Sequence, residues 1–424
     1  MKKQAIYPFV SLSVLLAALN LQAQTLPEAV KLALAYHPQL VISEQSIAAQ
    51  QAHVVEAEAA LKPHVMLSGE LGRSTLETSA LFPESGGRWP NTLSVVLSQP
   101  LYRGGALTAA TDKAKLSVTA SEYQRQQLRI NIAIQAVAAY AAVVRDQSLL
   151  ALYQQSLTTL KQAKQDADKR FNAGEATKTD TAQAAARLAE GEAQLTQAQA
   201  NIAISQAQFV RVIGTSAQQL NAHLPVLAVP TDLNAAIEKA LNSPAILAQQ
   251  QQALATEKDI TIAQADNKLQ VTAEARATTQ DNTDFGYDRM NGWGVYLKAQ
   301  LPLYQGGRSA AKVNAAIANT AAAQQHSTDI IADVKQQMTA AWQHWQAANA
   351  RVPAYQAQVQ AATLALESTQ KELRVGTRTT LDLLNAEREL LSANINAVLS
   401  EQDKSLASYQ ILAVIGDLSV LTQE

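Results

Sequence analysis

The chain has 424 residues and a formal net charge of −2, with 47% hydrophobic residues, 5% aromatic residues and no cysteine. This balance gives no basic excess for a nucleic-acid partner, and it excludes a disulfide framework and a lipid-anchored N-terminal cysteine. The length suffices for a large core or for two domains, and the abundance of alanine and glutamine favours long helices over a dense globular core.

Residues 1–23 have the pattern of a secretory signal peptide. Two lysines near the N-terminus precede an apolar run from Phe9 to Leu19, and Ala23 is a small residue at a cleavage position. A retained membrane anchor is the alternative, but the run is short and Asn20 ends it. No later apolar run reaches about 18 residues, so no spanning helix is predicted. The mature chain is expected in the periplasm, outside the cell, or in the outer membrane as a β-barrel.

Most of the remaining sequence occurs twice. PLYRGGALTA at Pro100 reappears as PLYQGGRSAA at Pro302, an offset of 202 positions, and RFNAGEATKTD reappears as ELRVGTRTTLD at the same offset. HPQL and SPAI, farther upstream, match at an offset of 206, so the first copy has a longer loop between them and Pro100. The repeat predicts two structural units with the same order of elements, residues 24–221 and residues 222–424.

Each unit is predicted to open with two helices and to continue with two strands. The segments 26–35 and 233–241 predict short helices that stop before a proline, and 38–61 and 244–267 predict longer ones. Apolar and polar residues then alternate at 65–71 and 93–101, and again at 269–276 and 293–301, which is typical of strands with one apolar face. The connectors SALFPESGGRWPN and QDNTDFGYDRMNG are rich in turn-forming residues and are predicted to be exposed loops.

The PLY-x-GG segment follows the second strand of each unit and predicts a sharp strand-to-helix junction. Proline has no N–H and is expected to end the strand ladder, whereas a glycine pair permits backbone angles that other residues resist. Tyrosine suits an interface between two media. The junction residues are Pro100, Tyr102, Gly104, Gly105, Pro302, Tyr304, Gly306 and Gly307.

A long helix is predicted after each junction. Nothing breaks the chain from Ala106 to Asn172, and a helix of those 67 residues would be about 100 Å long. Gly174 and Gly376 are expected to end the long helices, and shorter helices return to Gly214 and Gly416.

Two helix-capping patterns open the return helices. Thr177 and Asp180 form the first capping box, and Thr379 and Asp382 form the second.

A strand pair cannot stand alone in a membrane, because every backbone polar group must be paired there. One chain supplies four strands, so two chains would close eight strands and three chains would close twelve. The sequence therefore predicts a mixed α and β membrane protein whose barrel is shared between chains.

The repeated junction, the repeated turn (FNAGEATKTD and LRVGTRTTLD) and the opening TLPEAVKLALAYHPQL resemble the TolC-like outer-membrane efflux protein family over essentially the whole mature chain. The resemblance implies a homotrimer, with a twelve-stranded barrel in the outer membrane of a Gram-negative bacterium and a long periplasmic α-helical barrel. It implies an exit duct and not an enzyme. The partners would be outer-membrane lipid, a periplasmic adaptor (membrane fusion protein) and an inner-membrane pump or ABC transporter. Adaptor contacts are expected near Gly174 and Gly376.

The resemblance also implies a lock at the periplasmic entrance. Arg378 falls on a family arginine that binds a Thr-Asp pair of the first repeat, here Thr179 and Asp180. A guanidinium can bind a carboxylate through two parallel hydrogen bonds, which would fix two helices in register. Helix capping alone would also explain a threonine and an aspartate at this turn.

A constriction ring is the second implied feature. Asp382 falls on the first of two acidic family positions, where three copies would attract cations. Asn385 occupies the second position, and Leu373 replaces a tyrosine that supports the lock. A weaker ring and a looser lock are therefore expected.

Other residues have simpler interpretations. Trp342 and Trp345 are expected to pack against a neighbouring helix, and Trp89 and Trp293 to belong to an aromatic belt at the membrane surface. The charged strand residues Arg276 and Lys298 are expected to face the lumen. The six histidines lack metal-ligand spacing, and no cofactor or metal site is predicted.

Three functions remain open at this point. The cargo of a duct could be small toxic compounds driven by an efflux pump, or unfolded proteins of a type I secretion system. A periplasmic coiled-coil protein without a pore belongs to a different class, and it leaves the strand pairs unexplained.

Overall fold

A computed structural model describes residues 24–76, 86–222, 224–284 and 287–417. The predicted signal peptide, residues 1–23, lies outside them. The elements of the first half are α1 (Leu26–Tyr36), α2 (Pro38–Ala59), β1 (His64–Leu71), β2 (Ser74–Leu76), β3 (Gly86–Arg88), β4 (Asn91–Arg103), α3 (Ala106–Asn172) and α4 (Lys178–Ile213). Those of the second half are α5 (Leu233–Ala240), α6 (Pro244–Ala265), β5 (Gln270–Asp284), β6 (Tyr287–Gln300), α7 (Arg308–Arg374) and α8 (Thr380–Ile415).

The two halves have matching helices. Helices α2 and α6 have 22 residues each, α3 and α7 have 67, and α4 and α8 have 36. The predicted helices are present with ends within two residues of the expected ones, because proline and glycine mark those ends locally. The repeat boundary between residues 221 and 222 stays a prediction.

Two cores hold the long helices together at mid-length. The first joins α1, α3 and α4 around the fully buried Tyr140 and Phe209, and the second joins α5, α7 and α8 around Met338, Trp342 and Ile411. Trp342 belongs to the second core and Trp345 packs against it, together with residues of α5 and α8, which confirms that this pair packs against neighbouring helices. Their rings lie 5.3 Å apart. Large side chains are thus concentrated at mid-length, while alanine dominates the remaining helix contacts.

One stretch of α3 corrects the expectation that no helix is apolar enough to span a membrane. By length and composition the helix contains such a stretch, and more than half of that stretch is buried inside the protein. Ile132, Val137 and Val143 are fully buried residues of the first core. The apolar character of α3 is therefore explained by its packing against other helices.

Strands β1, β4, β5 and β6 form one antiparallel sheet in the order β1-β4-β5-β6, and β2 and β3 form a separate hairpin. Strand β4 pairs with β1 from Asn91 to Ser98 and with β5 along its whole length. The predicted strand pairs are therefore present, and they join into a single four-stranded sheet.

Two strand predictions were wrong in detail. Pro100 lies inside β4, opposite Thr272, and the ladder continues to Arg103. Because β1 ends opposite Ser98, β4 has a neighbour on one side only at Pro100, and the missing N–H can lie on the open side.

The connectors are also less loop-like than predicted. Residues 280–284 and 287–292 belong to β5 and β6, and residues 86–88 form β3; the tips at 77–85 and 285–286 lie outside the described residues. Pairing across the hairpin stabilises this extension, since the Arg289 guanidinium binds Asp281 at 2.8 Å and Thr279 donates to Asn291 at 2.6 Å.

Candidate functional site

The sheet exposes a continuous apolar face. Side chains of alternate residues point to it, and the exposed members include Leu67, Val95, Trp293, Val295 and Leu297. Trp293 is 85% exposed. An uncovered apolar face of four strands has the composition that contacts lipid in membrane barrels.

The opposite face is polar, and cross-strand pairs on it are hydrogen-bonded. Ser68 and Ser94 lie 2.7 Å apart across β1 and β4, and Glu274 of β5 binds Lys298 of β6. Glu274 also binds Arg276 of its own strand. One apolar face and one polar face are the arrangement expected of a wall between lipid and water.

The sheet edges are open. Strands β1 and β6 are at the two ends of the strand order, and neither has a second partner strand among the described residues. Their unpaired N–H and C=O groups can be satisfied in a membrane only by pairing with another strand.

A bulge at Leu101 sets the position of the junction tyrosine. The register shifts between Pro100 and Tyr102, so Tyr102 pairs with Val271 and not with a residue of the polar face. Tyr102 therefore joins the apolar face at its helix-proximal end, where an amphipathic ring suits a membrane surface. The sequence did not predict the bulge.

The glycine pairs make the turn into the long helices. Gly104 and Gly105 have φ of 65° and 89°, and Gly306 and Gly307 have φ of 62° and 84°. At Gly104 a Cβ atom would also lie 2.8 Å from Cβ of Lys268. The first junction thus needs glycine both for its backbone angle and for lack of space.

The helix turns at the opposite end hold both predicted capping boxes. Thr177 Oγ1 accepts from Asp180 N at 3.2 Å, and Thr177 N donates to the Asp180 carboxylate at 2.8 Å. Thr379 and Asp382 repeat this geometry with distances of 3.2 Å and 2.9 Å. The threonine backbone N–H is the main reason that the pKa of each aspartate is lowered.

The predicted lock residues are not joined within one chain. Arg378 Nε donates to Glu372 Oε2 at 2.8 Å, and this bond is the main reason that the arginine pKa is raised. No hydrogen bond or ion pair among the described residues links Arg378 to Thr179 or Asp180. The carboxylate of Asp180 is held by Thr177, and the Thr179 side chain is exposed. The lock therefore stays a prediction that requires a contact between chains or another state.

A groove of about 710 Å³ separates the two turns. It is lined by the last turns of α3, including Lys169 and Arg170, and by Leu373, Val375 and Gly376 of the second turn. Asn385 lies on an exposed face of α8, one turn beyond the half-buried Asp382. A ring requires the same residues from other chains, so the constriction ring also stays a prediction.

Two acidic residues near the turns were missed by sequence analysis. Glu372 binds Arg378 across the turn, and their separation of six residues around Gly376 was the available signal. Glu387 is half-buried on α8, and burial raises its pKa while a hydrogen bond from Gln370 opposes that rise. Nothing in the local sequence distinguishes this glutamate from the exposed ones.

An uncovered apolar sheet joined to helices about 100 Å long is the architecture of an outer-membrane channel subunit. The sequence profile described as outer membrane efflux protein matches residues 29–215 and 236–417. The chain belongs to this family.

Individual relatives agree with this assignment. The outer membrane efflux protein BepC of Brucella suis biovar 1 is 30% identical over 385 residues, which cover 89% of this chain and 82% of that protein. The outer membrane protein TolC of Vibrio cholerae is 31% identical over 132 residues, which cover 31% of this chain and 30% of that protein.

Solved structures show the same fold. The outer membrane protein VceC of Vibrio cholerae superposes with a TM-score of 0.79 at 22% identity, covering 92% of this chain and 96% of that one. A membrane protein of Pseudomonas aeruginosa gives 0.83 at 20% identity, with 92% of both chains covered. Family membership makes this chain an outer-membrane efflux protein that acts in transport.

Proposed function

We propose that three copies of this chain form an exit duct through the outer membrane of a Gram-negative bacterium. The observation that carries the proposal is the sheet with two open edges, β1 and β6, and one uncovered apolar face. Pairing β6 of one copy with β1 of the next closes twelve strands, satisfies every edge and turns the apolar face to lipid. The long helices then extend about 100 Å into the periplasm.

Light scattering of the detergent-purified protein tests this assembly. The expected protein mass is about three times that of the mature chain, with the bound detergent subtracted. A mass of one chain, or a protein that stays in solution without detergent, would support the coiled-coil alternative instead.

The duct conducts cargo passively, because nothing in the described residues supplies an energy source. An inner-membrane pump or ABC transporter drives the cargo, and a periplasmic adaptor contacts the outer faces near Gly174 and Gly376. The groove between the two turns offers mixed charge and the exposed Val375 for such a contact. The adaptor also opens the entrance, which inter-helix polar contacts of Arg378 keep closed at rest.

Small toxic compounds are the proposed cargo, since the family and its relative BepC are both described as efflux proteins. Accumulation of a fluorescent efflux dye is measured in cells lacking the gene and in cells with it restored. Higher dye retention in the deletion, reversed by complementation, is the expected result. Unchanged retention together with loss of a protein from the culture medium would assign the duct to type I secretion.

A further inference from the structure

Charged side chains are unevenly placed on the polar face of the sheet. The register shows that Arg103, Glu274, Arg276 and Lys298 lie on this face in the half nearest the helices, whereas Glu70 lies toward the loops. The first four residues, which we name the throat cluster, lie on rows that span Gln270–Arg276 of β5, or about 20 Å. Three cationic side chains and one anionic side chain therefore lie within this part of the sheet.

The carboxylate of the throat cluster is buried beneath its cations. Glu274 Oε1 accepts from Arg276 Nη2 at 2.9 Å, and Glu274 Oε2 binds Lys298 Nζ. The Glu274 side chain is 10% exposed, whereas those of Arg276 and Lys298 are each 50% exposed. A solute at this surface therefore meets one guanidinium, one ammonium group and little of the carboxylate.

Neighbouring residues leave the cations accessible. Gly294 is the residue opposite Arg276 on β6, and the Tyr296 ring of that strand lies over this glycine, yet the Arg276 side chain stays 50% exposed. Arg103 donates to the neutral amide oxygen of Gln270 at 3.0 Å, and no carboxylate pairs with it among the described residues. The throat cluster thus has an uncompensated charge of about +2 per chain, and three chains would form a positive ring.

We propose that the throat cluster binds anionic cargo groups, such as carboxylates, sulfonates or phosphates, as they pass from the helical part of the duct into the barrel. This inference rests on the proposed duct, with the polar face toward its lumen. The positive ring would lower the barrier for anionic solutes at the narrow start of the barrel, and its weak, distributed contacts would let them leave.

The test uses single channels in a planar bilayer, with a trisulfonated pyrene dye as the anionic probe, added on the side of the barrel mouth. The dye is expected to block the parent channel, and the block should weaken at higher salt. In E274Q/R276Q/K298Q the block should weaken by at least about tenfold, and in E274Q it should strengthen. The triple variant leaves no buried carboxylate unpaired, which avoids the main cause of misfolding.

R289Q is the matched control. Its guanidinium binds Asp281 at the far end of the same hairpin, on the other face, so the block should stay within about twofold of the parent. A parent that conducts current and is blocked equally in the triple variant overturns the throat cluster as an anion site. A parent without conductance overturns the duct itself, and the two failures are therefore distinguishable.

Discussion

Two buried tyrosines show how hydrogen bonding decides the role of a single residue. The Tyr140 hydroxyl donates to the backbone oxygen of Gln24 at 2.8 Å and to that of Asn221 at 3.1 Å, so it ties both ends of the first half to α3. The Tyr409 hydroxyl is buried and has no hydrogen-bond partner among the described residues. A buried tyrosine therefore links α3 to two other segments through hydrogen bonds, whereas the buried tyrosine of α8 contributes apolar packing and leaves its hydroxyl without a hydrogen bond.

The first prediction compares the two phenylalanine variants. Tyr140→Phe should lower the free energy of unfolding by about 1–2 kcal/mol, because two backbone acceptors lose their donor. Tyr409→Phe should leave it unchanged or raise it by about 1 kcal/mol, because a buried unsatisfied hydroxyl is removed. Thermal and urea unfolding followed by circular dichroism measure both, and equal losses in the two variants would contradict the prediction.

Alkaline pH gives the second prediction. Burial raises the pKa of Tyr409 to about 12 from an ordinary value of 10.0. A raised pKa means that the folded state holds the proton more tightly than the unfolded state does. The contribution of this group to the free energy of unfolding is therefore complete below pH 10 and is lost as pH rises through about 12. The parent should lose stability over this range more steeply than Tyr409→Phe. Parallel pH curves for the two proteins would show that Tyr409 ionises freely in the folded state.

At the scale of elements, the two strand-to-helix junctions are alike in sequence and different in packing. Gly104 and Gly306 both have positive φ, but atoms of Lys268 and Ala265 crowd the first, and no atom lies within 4 Å of the position of a Cβ at the second. The first junction packs against the end of α6, whereas the second is open within one chain.

The third prediction follows from this difference. Gly306→Ala should cost about 1 kcal/mol, from backbone strain alone. Gly104→Ala should cost about 2 kcal/mol or more, because the added methyl group must also displace backbone of α6. Thermal midpoints of the two detergent-purified variants measure the difference. Equal midpoints would show that the glycines serve only the backbone angle.

Local signals predicted the elements well, and contacts distant in sequence explain where they failed. Proline, glycine and period-two alternation fixed most element ends, since these act within a few residues. Pro353 would predict a break, yet α7 runs through it, and the neighbouring Val352 and Ala348 are buried. One lost hydrogen bond is offset by packing that the sequence does not display. The bulge at Leu101 likewise depends on a partner strand from the other half.

In the candidate site, too, contacts between residues close in sequence were predictable and contacts between distant residues were not. The capping residues were predictable because both partners of each bond lie within one helical turn. The partner of Arg378 was not predicted, because Glu372 lies six residues away, at the end of the preceding helix. The placement of Arg276 and Lys298 on the polar face follows from alternation, but the burial of Glu274 between them needed the sheet register.

At the scale of the whole molecule, the two turns carry opposite pairs. Arg170 lies 4.0 Å from Glu175 at the first turn, and Glu372 lies 2.8 Å from Arg378 at the second, so the residue before the turn is basic in the first pair and acidic in the second. If Arg378 also closes the entrance by binding Asp180 of another chain, Glu372 and Asp180 compete for one guanidinium. The fraction of ducts with an open entrance then depends on which of the two carboxylates binds the Arg378 guanidinium.

The fourth prediction uses this competition to separate a lock from a helix cap. Arg378→Ser should raise single-channel conductance, because neither carboxylate is held, and Glu372→Gln should lower it, because the arginine is released to Asp180. Glu372→Gln added to Arg378→Ser should change nothing further. Parental conductance in Arg378→Ser would exclude the lock, and increased conductance in Glu372→Gln would show that the contact within one chain itself keeps the entrance closed.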